Sequence, residues 1–325
     1  MPEFSYVRAR SVEEALTHLA SGGARLHAGG TDLLGCLRDG VFRASKIVSI
    51  SRVRELQGIE ETADGGLRIG ALTTLTRVAE EASVGSRYPA LSRAASEAAS
   101  PQLRNQGTLG GNLCQKPRCW YYRGEFHCLR KGGDRCYAVS GENQFHCILG
   151  GQDCFIVHPS DLAPVLVVYG AAVEIAGTKG KRRVPIEEFF VLPSRDVTAE
   201  TVVASDEIAT GVLLPSLPQG TRSSYRKVRA RRSWDFALAG VALALRFDGE
   251  TVASARIALA GAAPVPWRSV EAEQAITGKP LSPEVVAQAA AAAMDKAKPL
   301  RHNEYKTYLF RGLIEEELTA IASQA

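Results

Sequence analysis

The sequence predicts an α+β protein: two α/β subdomains followed by a C-terminal domain of antiparallel sheet and helices. Three observations lead there. Helical and strand spacings alternate from Ser11 to Leu75, a middle stretch sets short apolar strands around a long segment of no period, and from Tyr225 onward strands come first and helices last. At 325 residues the chain exceeds one ordinary core, on the scale of roughly 100–200 residues per domain. The boundaries are expected near residue 55 and at the Pro- and Gly-bearing segment Pro215 to Gly220, giving domains 1–55, 56–218 and 219–325.

Taken in order, Ser11 to Ala20 has helical spacing with Ser11 as N-cap, and Arg25 to Ala28 reads as a strand ending in Gly29-Gly30. A helix is expected over Thr31 to Gly35, a second strand over Lys46 to Ile50, and a third, closing the first unit, over Leu67 to Ala71. The pattern turns helical from Thr74 to Ala82 and again from Ser92 to Ala99, before a Gly- and Asn-rich loop, Asn105 to Asn112, in which no regular element is expected. Val165 to Ile175 reads as an apolar strand pair, Phe189 to Pro193 as an edge and Glu207 to Leu214 as another strand. The last domain should hold strands at Tyr225–Val228, Ala237–Phe247 and Ser254–Gly261, then helices at Pro283–Lys296 and Tyr305–Ser323.

With 45% hydrophobic and 23% charged residues, the composition is that of a folding globular chain. A net charge of +4 is too small for a polyanion partner, and the basic group Arg226, Lys227, Arg229, Arg231 and Arg232 lacks interleaved aromatics, so nucleic acid is not expected. No apolar run approaches the ~20 residues that span a bilayer, and the N-terminus lacks the apolar core of a secretory signal. The expected location is cytoplasmic.

Two glycine-rich segments carry binding chemistry. Ala28-Gly29-Gly30-Thr31-Asp32 lies between a strand and a helix, where backbone N–H groups can converge on an anion and missing β-carbons allow close approach. Asn105 to Asn112 supplies three further glycines with hydroxyl and amide donors, and two such loops suit a pyrophosphate better than a lone phosphate. Neither contains the Rossmann or P-loop pattern. Six of seven cysteines fall between Cys114 and Cys154, a clustering that favours a metal over disulfides. Cys119, Cys128, Cys136, Cys147 and Cys154 contain no C-x-x-C pair, and their spacing admits zinc or an iron–sulfur cluster alike. No Ser-His-Asp grouping is visible, and Glu187-Glu188 reads as a solvated turn, so no catalytic residue is assigned.

Over essentially its whole length the chain resembles the flavoprotein subunits of the xanthine dehydrogenase and carbon monoxide dehydrogenase family of molybdenum hydroxylases. The resemblance is carried by A-G-G-T-D-L at 28–33, G-A-L-T-T-L at 70–75, N-Q-G-T-L-G-G-N-L-C at 105–114, H-P-S-D-L-A-P at 158–164, the stretch Tyr225 to Gly240, and Asn303 to Lys306. It implies the FAD-binding fold of the vanillyl-alcohol-oxidase and CO-dehydrogenase-flavoprotein type. FAD would then be held by Ala28, Gly29, Gly30, Thr31 and Asp32 from the first loop and Thr108, Gly110, Gly111 and Asn112 from the second. Asp161 matches a residue at the cofactor's polar chain, and Lys227 a lysine near the flavin ring.

The segment 114–154, with R-C-W-Y-Y-R at 118–123, is similar to an insertion in the subfamily of 4-hydroxybenzoyl-CoA reductase and the periplasmic aldehyde oxidoreductase. That similarity implies a [4Fe–4S] cluster held by Cys119, Cys128, Cys136 and Cys154, with Cys147 the other residue near enough in sequence to be the fourth ligand. Cys114 and Cys36 are expected to pack as small hydrophobes. Partners implied are a molybdopterin-binding large subunit, a [2Fe–2S] small subunit and an external carrier such as ferredoxin, with export alongside a Tat-signalled partner compatible with this arrangement. Substrate chemistry would belong to the large subunit, and either direction of electron flow is compatible. The competing readings are a stand-alone FAD oxidoreductase with a structural zinc loop and a zinc-stabilised nucleotide-binding scaffold.

Overall fold

A computed structural model describes residues 3–323. Strands β1 (Ser5–Arg8), β2 (Ala24–His27) and β3 (Lys46–Ser49) form a parallel sheet of order β1-β3-β2. The crossover helix Val12–Ala20 starts at Ser11, whose hydroxyl accepts from the Glu14 N–H, and buries Val12, Ala15, Leu16 and Leu19. β1 escaped the sequence reading because S-Y-V-R leaves three of its four residues exposed.

β4 (Ile59–Glu61), β5 (Leu67–Gly70), β6 (Ala172–Gly177), β7 (Gly180–Pro185) and β8 (Glu207–Leu214) make an antiparallel sheet of order β4-β5-β8-β6-β7. The third expected strand therefore does not close the first unit. Leu67 pairs with Leu214 and Gly70 with Gly211, so β5 belongs to the second sheet, and the second glycine-rich segment and the cysteine-rich segment are excursions between β5 and β6.

Three further expectations need correcting. Asn105 to Asn112 is not wholly irregular: a short helix, Leu109–Leu113, starts at Thr108, whose Oγ1 accepts from the Gly111 N–H at 3.2 Å. Val165 to Ile175 is not a strand pair but the end of a helix, Leu162–Val168, followed by β6. Every residue of that helix is buried, so no polar face marks its period. The expected edge at Phe189 begins as a helical turn, Ile186–Phe189, and only Phe190 makes a bridge, to Thr201.

The third sheet, β9 (Thr221–Val228), β10 (Ala239–Asp248), β11 (Thr251–Ala260) and β12 (Trp267–Arg268), is antiparallel in the order β12-β11-β10-β9. β10 is buried on both faces. Val241, Leu243 and Leu245 pack under helices Val270–Ile276, Pro283–Ala293 and Tyr305–Ala322, while Ala242 and Ala244 face the core of the second subdomain. Alanines on that face let the two cores meet closely.

Candidate cofactor sites

The two glycine segments are pressed together. A β-carbon on Gly29 would overlap the Gln106 carbonyl oxygen, and one on Gly110 would meet Ala71 Cβ at 2.8 Å. Gly30 turns the chain with φ +73°, a region open to glycine at little cost. Two chambers meet at this contact. One is lined by residues 28–32, Thr108, Gly110 and Gly111 together with apolar Leu26, Ile50 and Leu72. The other is lined by Thr31, Asp32, Thr108, Gly111 and Asn112 together with Asp161, Trp234 and Phe236. Thr31, Asp32, Thr108 and Gly111 line both, so the glycine loops form the waist of one elongated groove. That shape suits a ligand with a compact polar middle and two bulky ends.

Asp32 lines the waist, and the residues that engage its carboxylate line the chambers with it, Lys116 the first and Arg118 and Arg123 the second. It accepts from the Lys116 N–H at 2.7 Å and lies 2.8 Å from Arg118 Nη1 and 2.7 Å from Arg123 Nη2. Its side chain makes no helix-capping bond. Asp161 accepts from the Tyr225 hydroxyl at 2.7 Å and from Lys227 Nζ at 2.8 Å. Burial first, and the Asp161 charge second, push the Tyr225 phenol well above its ordinary range. The Lys227 side chain is 1% exposed and lines neither chamber, so its charge is paired with Asp161 at the wall.

Cys119, Cys128, Cys136 and Cys154 line one small cavity, together with Tyr121 and His146. Cys147 is fully buried away from that lining; its N–H donates to the Phe155 carbonyl, and its own carbonyl accepts from Asn303 Nδ2. A hydrogen bond from Cys154 holds the Cys136 thiol down to about 6, whereas burial pushes Cys119 up to about 11. His146 Nε2 lies 3.3 Å from Cys119 Sγ, and burial with the nearby Lys306 ammonium holds the imidazole down to about 4. Among the described residues, no group of three or more His, Cys, Asp or Glu side chains is placed to hold a metal ion as it stands. Cys36 is fully buried in its helix, and Cys114 packs against the second subdomain's core, as expected of small hydrophobes.

The irregular cysteine segment is fastened to all three domains. Asp32 of the first holds its start through Lys116, Arg118 and Arg123. Glu200 of the second pairs with Lys116 and with Arg130, whose side chain is 1% exposed and also donates to the carbonyls of Val197 and Ala199. Asn303 and Lys306 of the third donate to the His146 carbonyl at 3.0 and 3.1 Å. The sequence reading did not single out Arg118, Arg123, Glu200 or His146. The two arginines of R-C-W-Y-Y-R were the available signal, while Glu200 and His146 carried none.

Residues 2–217 match the family described as the FAD binding domain in molybdopterin dehydrogenase, and residues 223–320 the CO dehydrogenase flavoprotein C-terminal domain. The chain is 35% identical to the aldehyde oxidoreductase FAD-binding subunit PaoB of Escherichia coli K12, over 100% of both chains. It is 33% identical to the xanthine dehydrogenase FAD-binding subunit of Escherichia coli O157:H7, over 86% of this chain and 80% of that one. Among solved structures it is similar to a carbon monoxide dehydrogenase from Hydrogenophaga pseudoflava lacking the Mo-pyranopterin moiety of its molybdenum cofactor, with TM-score 0.80, 28% identity and coverage of 100% and 99%. Among the described residues no helix is long and apolar enough to cross a membrane.

Proposed function

Because the chain belongs to the FAD-binding subunits of the xanthine dehydrogenase and carbon monoxide dehydrogenase family, and so is an FAD-binding oxidoreductase subunit, we propose that it serves as a two-cofactor electron relay. FAD would lie along the two-chambered groove. Residues 28–32, Thr108, Gly110, Gly111 and Asn112 would hold its pyrophosphate at the waist, and Asp161, fixed by Lys227 and Tyr225, would bind a polar group in the second chamber. The fit rests on the Gly29 and Gly110 contacts, where side chains would force the loops apart. Bound flavin exchanges electrons singly or in pairs.

A [4Fe–4S] cluster held by Cys119, Cys128, Cys136 and Cys154 completes the reading. The observation that carries it is that these four cysteines, dispersed over 36 positions, share one cavity lining that Cys147 does not join. The buried Arg130–Glu200 pair and the Asp32 contacts would keep the segment in place beside the groove. The partners we infer are a molybdopterin-binding large subunit, a [2Fe–2S] small subunit and a ferredoxin-like external carrier, assembled in the cytoplasm. A Tat-signalled partner would be the route to export.

The test is an anaerobic absorbance spectrum of the purified chain with iron, sulfide and zinc analysis. Flavin bands with about four iron and four sulfide per chain support the relay. Flavin with about one zinc per chain keeps the flavin site and removes the cluster.

A further inference from the structure

His146 lines the cysteine cavity together with the four cysteines. We propose that His146 is a positioning residue that donates a hydrogen bond from Nε2 to the Cys119 thiolate and raises the reduction potential of the cluster there. This rests on the cluster reading above.

His146 Nε2 stands 3.3 Å from Cys119 Sγ, within the range for a hydrogen bond to sulfur. Its Nδ1 is buried with no hydrogen-bond partner. Those two facts fix the direction of the bond once Cys119 is a ligand. A coordinated thiolate only accepts, so Nε2 must carry the proton, and Nδ1 is then an unprotonated acceptor. The other tautomer would bury an unpaired N–H and turn a lone pair on a thiolate. The ring is not free to leave. It packs against Trp120 at 5.8 Å and Tyr121 at 6.0 Å between centroids, and Asn303 and Lys306 clamp the residue's carbonyl. A donor held against a cluster sulfur draws charge from it and favours the reduced state.

The experiment is an EPR-monitored redox titration of the full chain in its complex, with iron, sulfide and flavin analysis alongside, on wild type, His146→Leu and His146→Gln. We expect full iron in all three, a more negative midpoint potential for His146→Leu, and a return towards wild type in His146→Gln, whose amide restores a donor. An unchanged potential in an iron-replete His146→Leu overturns the proposal and leaves the cluster reading intact. Iron-free wild type overturns both. Labelling histidine with 15N gives a check that needs no variant: ENDOR showing a weak nitrogen coupling supports the hydrogen bond, whereas a strong one makes His146 a ligand and overturns it.

Discussion

Arg123 Nη2 lies 2.7 Å from Asp32 Oδ1, an ion pair that joins the cysteine segment to the first glycine loop across 91 positions of sequence. Both side chains are mostly buried, so screening by water is limited and the pair counts for more than a surface contact. Asp32 also holds Arg118, one residue before Cys119. The first glycine loop and the start of the cysteine segment therefore share a fastener.

Cys119→Ser should accordingly lose iron and keep FAD, whereas Asp32→Ala should lower both, because it strands two arginines and releases the glycine loop together. Flavin absorbance and iron content of the two purified variants check this. Equal loss of both cofactors in Cys119→Ser would remove the separation of the sites.

The Arg130–Glu200 pair predicts a stability effect instead. Removing one partner of a buried ion pair typically costs about 3–5 kcal/mol, since the other charge stays buried and unpaired. Arg130 is also bonded to the carbonyls of Val197 and Ala199, so it cannot swing out to water without releasing them. Glu200→Ala should lower the thermal midpoint by several degrees, and a double variant with Arg130→Met should recover part of the loss. A single variant melting with wild type would mean that the pair contributes nothing net.

Gly29→Ala should abolish flavin binding, because its methyl group would enter the Gln106 carbonyl. Gly85→Ala provides the contrast. Gly85 is an exposed helical residue with nothing near its missing β-carbon, and alanine there should be stabilising by ~0.5–1 kcal/mol. Flavin occupancy and thermal melts of both variants separate close approach from ordinary helix propensity.

How much of this was legible in sequence depends on what kind of contact carries it. The helix Val12–Ala20 and the strands β10 and β11 follow local period, and both glycine loops announce their backbone needs. Leu162–Val168 did not, because L-A-P-V-L-V-V is apolar on every side and a buried helix and a buried strand then read alike. β7 was invisible for the opposite reason: G-K-R-R-V-P is an edge strand whose side chains are mostly exposed. The cysteines were found as a cluster, but the arginines, Glu200 and Lys306 that hold them act across long separations, which no local pattern encodes.

His158 gives the H-P-S-D-L-A-P motif a pH-dependent role. Its Nε2 donates to the Leu113 carbonyl at 3.2 Å, and its Nδ1 accepts from the Ser160 N–H at 3.4 Å, so the neutral ring ties the second glycine loop to the helix at 162–168. Burial holds it down to about 4, against 6.5 when unfolded. Between those values the unfolded chain takes up a proton that the folded chain refuses. Stability from this group is thus complete above pH ~6.5 and falls as pH drops towards 4, by about 3 kcal/mol in all. His158→Gln should flatten denaturant-unfolding free energies over that interval by about this amount, and an unaltered acid slope would contradict the assignment.

Lys227 and Asp161 make the last case, because the motif resemblance set both beside the cofactor and the structure sets them beside each other, 2.8 Å apart with side chains 1% and 6% exposed. The lysine's charge is answered at the wall by Asp161, which alone of the two lines the groove. Lys227→Met should therefore act through Asp161. Left with only the Tyr225 hydroxyl, the buried carboxylate loses its counter-charge, and the variant should lose about 3–5 kcal/mol and much of its flavin affinity. Adding Asp161→Asn removes the stranded charge, so the double variant should regain stability without regaining affinity. Thermal melts and flavin titrations of the single and double variants test this. A double variant that binds flavin as wild type would show that Asp161 holds no part of the cofactor and that the pair serves the fold alone.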